Sequence, residues 1–133
     1  MDRDVYCGRM KLDGEDDEKT LRAASNYAMS LKGLQRFGEA KLLLRKTLPV
    51  TRRVRGDSNG DTLRLKWNYA EVLFQDTGAT LDDLREAVTT LEDTAPTARR
   101  VLGIAHPITK GIEDALQKAR AARDANETPP GSA

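Results

Sequence analysis

A chain of 133 residues, 38% hydrophobic and 32% charged, amounts to about one domain with a modest core. Twenty-two Lys and Arg against 21 Asp and Glu leave a net charge of +1, which removes any global electrostatic case for nucleic acid or an anionic membrane. The only cysteine, Cys7, excludes an internal disulfide, and no run approaches the roughly 18 apolar residues of a membrane span.

In chain order, "MDRDVYCGRM" lacks the apolar core of a signal peptide, so a cytoplasmic protein is the expectation. Residues 1–14 are expected to form the tail of a preceding repeat helix, with Val5, Tyr6, Met10 and Leu12 on its apolar side. Residues 15–56 read as two helices. Leu21, Ala24, Tyr27, Ala28, Leu31 and Leu34 fall three or four apart, and Ala40, Leu43, Leu44, Leu48, Thr51 and Val54 do so again after a break at Gly33 to Gly38. Residues 57–103 repeat the pattern, with Leu63, Tyr69, Ala70, Leu73 and Phe74 before Leu84, Ala87, Val88, Leu91, Ala95, Ala98 and Val101. Small residues at Ala28/Ala40 and Ala70/Ala87 suit close approach of paired backbones. Residues 104–125 give a C-terminal capping helix opened by His106-Pro107, with Ile108, Ile112, Ala115, Leu116, Ala119 and Ala122 on one stripe. Residues 126–133 have too little apolar content to fold and read as a disordered tail.

The two units are copies. "KTLRAASNYAMSL" (19–31) and "DTLRLKWNYAEVL" (61–73) agree at seven of thirteen positions, offset by 42 residues. "EAKLLLRKTLPVTRRVRG" (39–56) returns as "EAVTTLEDTAPTARRVLG" (86–103) at nine of eighteen positions, 47 residues on. The five extra residues lie between Phe74 and Glu86, where Thr80 and Asp83 form a capping-box pattern, and they predict about one added turn at a helix start. A period in this range marks a stacked-repeat architecture, each helix pair burying one face on its neighbour. Pro49 and Pro96 fall at the same place in both units and predict a kink or break in each second helix.

The pattern T-L-x-x-x-x-N-[LY]-A, then Glu-Ala, then R-x-[VL]-x-G and a following His-Pro, resembles the tetratricopeptide repeats of the kinesin light chain type over about Gly14 to Asp124. That resemblance implies an all-α right-handed superhelix of stacked antiparallel helix pairs, whose first helices line a concave groove for an extended peptide. It places Asn26 and Asn68 in the groove, where an amide offers a donor and an acceptor to a peptide backbone. Arg22 and Arg64 sit one turn earlier on the same face, where a guanidinium takes a carboxylate in bidentate fashion. Ser25 and Trp67 occupy matching places, and Met29 and Glu71 follow three positions after each Asn. The expected activity is non-catalytic capture of a short acidic peptide by a scaffold or adaptor. The alternative is a structural subunit that self-associates through its N-terminal repeat face.

Structural uses compete for the same residues. A mid-helix Asn also serves to bond a neighbouring helix, and Trp67 suits packing between first helices; both readings stay open. His106, the only histidine, suits a cap, and one His with one Cys gives no ligand set for zinc and no nucleophile pair, so no cofactor or metal is expected. The acidic run Asp13 to Glu18 lacks the spacing of a calcium loop. The basic cluster Arg45, Lys46, Arg52, Arg53 and Arg55 has no interleaved aromatics and reads as a solvated outer helix face rather than a nucleic-acid site.

Overall fold

The structure of the protein, a computed structural model, describes residues 2–127. Its elements are α1 (Asp2–Asp13), α2 (Glu18–Gly33), α3 (Phe37–Arg55), α4 (Gly60–Gln75), α5 (Leu81–Leu102) and α6 (Pro107–Glu127). All are helices, and no strand occurs among the described residues, which gives the expected all-α class. The chain divides into two compact units, Met1–Leu65 and Lys66–Ala133, with the boundary inside α4. Asn126 and Glu127, placed by the sequence reading in a tail, close α6; the rest of that tail lies outside the described residues.

In the first unit α1 packs on α2 and α2 on α3. No residue of α1 is buried. Its hold on α2 is local: the Tyr6 and Tyr27 rings meet at 6.0 Å between centroids, the Thr20 hydroxyl donates to the Arg9 carbonyl at 3.1 Å, and the Ser30 hydroxyl donates to Asp2. α2 starts where the Asp17 carboxylate accepts the Lys19 amide at 2.8 Å, which satisfies one of the donors that a helix start leaves without a partner. From there Leu21, Ala24, Ala28 and Leu31 recur on the buried side. Ala28 in α2 and Ala40 in α3 are both buried, as a close approach of two helix backbones requires.

In the second unit the Tyr69 hydroxyl of α4 donates to Glu86 of α5, and α5 packs along α6. That packing carries Thr109 Oγ1 donating to the Ala98 carbonyl at 3.2 Å, and ion pairs Arg99–Glu113 at 2.6 Å and Arg120–Glu92 at 2.9 Å. Leu84, Ala87, Val88, Leu91, Ala95 and Ala98 of α5 are buried, as are Ile108, Ile112, Ala115, Leu116 and Ala119 of α6.

The repeat is visible in the joints. Gly14, Gly56 and Gly103 follow α1, α3 and α5 at φ of 83°, 88° and 94°, a left-handed conformation that glycine adopts without penalty. Asp17, Asn59 and His106 then open the next helix in the same way, each accepting the amide two residues on, at 2.8, 2.8 and 3.1 Å. The five added residues of the second unit divide between a longer connection before Thr80 and a longer start to α5, where Thr80 and Asp83 close a capping box with bonds of 3.1 and 3.2 Å.

Of the kink or break expected at the prolines, the break does not occur. α3 runs through Pro49 and α5 through Pro96 without interruption. A proline inside a helix costs about 3 kcal/mol through one lost bond and a ring clash. Both rings are exposed, while Thr47, Val50 and Thr51 around Pro49, and Thr94, Ala95 and Ala98 around Pro96, are buried. Packing on both sides of each proline outweighs the local cost.

Candidate binding cleft

A cleft of about 320 Å³ opens in the first unit. α2 contributes Leu21, Arg22, Ser25 and Asn26; α3 contributes Thr51 and Arg55; the first turns of α4 contribute Asp61, Arg64 and Leu65. Helical spacing explains the first set, since positions 22, 25 and 26 share one face. Backbone geometry explains the second. The left-handed turn at Gly56 ends α3 directly after Arg55, and the cap at Asn59 starts α4 so that Asp61 stands in its first turn.

Arg55 and Asp61 form an ion pair across that turn, with Glu18 at 3.8 Å from the same guanidinium. The Arg55 side chain is 15% exposed, and its Nε is buried without a partner among the described residues. Arg22 and Arg64 differ from it. Both are exposed, and neither has an ion pair among the described residues. Three guanidinium groups therefore line the cleft against one carboxylate, with the Ser25 hydroxyl and the Asn26 amide between them as neutral donors and acceptors.

The structure brings Arg22, Ser25, Asn26 and Arg64 to this cleft and leaves the other sequence candidates elsewhere. Met29 is 37% exposed on α2 but does not line it. Trp67, Asn68 and Glu71 belong to the second unit. The two copies of the repeated Asn differ: Asn26 is exposed and Asn68 only 6% exposed. Trp67 is half-buried, its six-membered ring against the backbone of Gly111 in α6, and its indole N–H is buried without a partner among the described residues.

Arg55 corrects the reading of the basic cluster. Arg45, Lys46, Arg52 and Arg53 are exposed, Arg52 pairs with Asp57 at 2.7 Å and Arg53 with Asp16 at 2.6 Å, but Arg55 turns inward to the cleft wall. Sequence reasoning missed Arg55 and Asp61 as cleft residues. A signal was present: a basic residue directly before the helix-ending glycine and an acidic one in the next first turn. The remaining weak candidates take structural roles, with His106 and Asp17 as helix caps. Among the described residues no group of three or more His, Cys, Asp and Glu is placed to hold a metal ion.

The sequence model of the tetratricopeptide repeat matches residues 20–61, which span α2, α3 and the first residues of α4. No curated protein matches the chain. The matched segment is a repeat of that kind, in a chain whose fold is all-α and tetratricopeptide-like. Such repeats generally mediate protein–protein interaction and scaffolding rather than catalysis. No helix among the described residues is long and apolar enough to cross a membrane.

Proposed function

We propose that the chain is a non-catalytic interaction module of the kinesin light chain type that captures a short acidic segment of a partner protein in the first-unit cleft. The reading makes it a cytoplasmic scaffold or adaptor. One observation carries it: Arg22 and Arg64 line the cleft without acidic partners among the described residues, beside Ser25 and Asn26. Surface cations without counter-ions are common, but two on one concavity with neutral donors between them supply both charge and direction. Carboxylates of the ligand pair with the two guanidinium groups, and Asn26 bonds the peptide backbone with one donor and one acceptor.

The contacts are few and charge-assisted, so affinity lies on the order of micromolar to millimolar and falls with added salt. Fluorescence anisotropy of a labelled acidic peptide tests this, with Arg64→Glu as the control. Binding that weakens with salt and disappears in the variant supports capture, and binding indifferent to both refutes it.

A second reading is self-association through α1. Val5 and Leu12 on that helix are 53% and 80% exposed, and the helix has no buried residue of its own, so these side chains are available to a second copy. Light scattering at high concentration separates the two, since a monodisperse monomer counts against assembly.

A further inference from the structure

We infer that the start of α6 is a pH-sensitive joint, closed while His106 is neutral and loosened when its imidazole takes up a proton. Three joints of the chain are built alike: Asp17, Asn59 and His106 each accept the amide two residues on, at 2.8, 2.8 and 3.1 Å, and so cap α2, α4 and α6. They differ in what a proton does to them. An amide oxygen stays an acceptor at any pH near neutral, and a carboxyl group keeps an acceptor oxygen even when protonated. A neutral imidazole has one acceptor nitrogen, and the protonated ring has none. Because Nδ1 of His106 accepts from the Ile108 amide, the neutral ring carries its proton on Nε2, and the proton that arrives on acidification goes to Nδ1 itself. The Ile108 N–H then faces another N–H, and the cap is lost.

Charge acts in the same direction. The imidazolium stands at the N-terminus of a 21-residue helix, where the unbonded amides favour an anion and oppose a cation. The charged side chains on the elements around this end are Lys110 and Glu113 on α6, Arg99 and Arg100 in the last turn of α5, and Lys66 and Glu71 on the second-unit part of α4, whose Trp67 meets α6 at Gly111. Arg99 and Glu113 pair with each other at 2.6 Å, and the imidazole forms no ion pair among the described residues. No paired carboxylate offsets the added charge. The stability that the cap contributes is therefore present while the ring is neutral and is lost as pH falls through the range of about 8 to 5, where histidine changes charge. His106 is the only histidine, and the segment it caps carries the buried Ile108, Thr109 and Ile112 and the Gly111 on which Trp67 lies. Acidification thus acts on one of the three joints, the one that seats α6 on α5.

The experiment compares the full chain with His106→Asn, which gives the third joint the residue that already caps α4 at Asn59. Thermal unfolding is followed by the emission of Trp67 at pH 8 and at pH 5.5. Between the two, the Tm of the parent chain should fall by about 3–6 °C more than that of the variant, and at pH 5.5 the variant should be the more stable. All other titratable groups are common to both proteins, so the difference belongs to the imidazole. Amide NMR of the parent chain alone gives a second reading that needs no variant. The Ile108 amide proton should move upfield from pH 8 to pH 5.5 as its bond is lost, while the Lys19 and Asp61 amides, capped by Asp17 and Asn59, hold still. Equal falls in Tm for the two proteins, or an Ile108 amide as still as the other two, would overturn the inference.

Discussion

Trp67 lies against Gly111 so closely that a Cβ at position 111 would stand 2.3 Å from the Cζ2 of its ring. Glycine in the first turns of α6 gives up about 1 kcal/mol of helix propensity relative to alanine, and the indole occupies the space this creates. Gly111→Ala should therefore destabilise the protein despite the better helix former. Overpacking costs about 1–3 kcal/mol against that gain, so a net loss of about 1 kcal/mol is expected in urea unfolding. The only tryptophan reports its own displacement, and its emission should shift to the red. A stabilised variant with unchanged emission would contradict the close packing of Trp67 on Gly111.

The threonines that open the repeats make a matched comparison. Thr20 and Thr109 each donate to the carbonyl eleven residues earlier, Arg9 and Ala98, at 3.1 and 3.2 Å. Thr62 holds the same place in its repeat and is equally buried, but its hydroxyl has no partner among the described residues. Thr109→Val should cost about 1 kcal/mol, because it leaves the bonded carbonyl short of a donor. Thr62→Val removes an unsatisfied hydroxyl and should be neutral or stabilising. Thermal melts of the two variants decide it, and equal losses would show that the Thr62 hydroxyl is bonded in solution.

His106 should behave as a cap in mutagenesis. Its Nδ1 accepts the Ile108 amide, as Asp17 and Asn59 accept theirs in the other repeats. His106→Ala should lower stability by about 1 kcal/mol, and His106→Asn should restore most of it, since Asn caps at least as well. An alanine variant as stable as the parent chain would contradict the role.

Much of the helical layout was legible in the sequence because stacked repeats state their pattern twice. The apolar spacing at Leu21, Ala28 and Leu31 returns 42 residues on at Leu63, Ala70 and Leu73, and both sets are buried. Local chemistry at Thr80 and Asp83 located the start of α5 directly. The prolines do not break the helices because propensity is a local quantity, and burial of Val50 and Ala95 beside them is not. At the cleft, helical spacing grouped Arg22, Ser25 and Asn26, but Arg55 and Asp61 meet across a turn, and no periodicity within a helix reports on that. The repeated Asn was ambiguous for a physical reason. Asn26 and Asn68 share the same local sequence, while one is exposed and the other 6% exposed, a difference set by tertiary surroundings.

Asp61 is the one negative charge lining the cleft, and it holds Arg55 in place. Asp61→Asn removes a repulsion toward an acidic ligand and keeps the side chain's size. Acidic-peptide affinity should rise by a few-fold, most strongly at low salt where screening is least. A titration showing weaker binding would mean that the Arg55–Asp61 pair organises the cleft more than its charge opposes the ligand.

The most direct measurement compares two charge reversals in one binding assay: Arg64→Glu inside the cleft and Arg100→Glu on the exposed surface of α5 in the other unit. Both change the net charge equally, and as exposed substitutions both should alter stability by less than about 0.5 kcal/mol. Capture in the cleft predicts that an acidic peptide is lost to the Arg64 variant and bound normally by the Arg100 variant. Equal losses in both, or normal binding by the Arg64 variant, would contradict it.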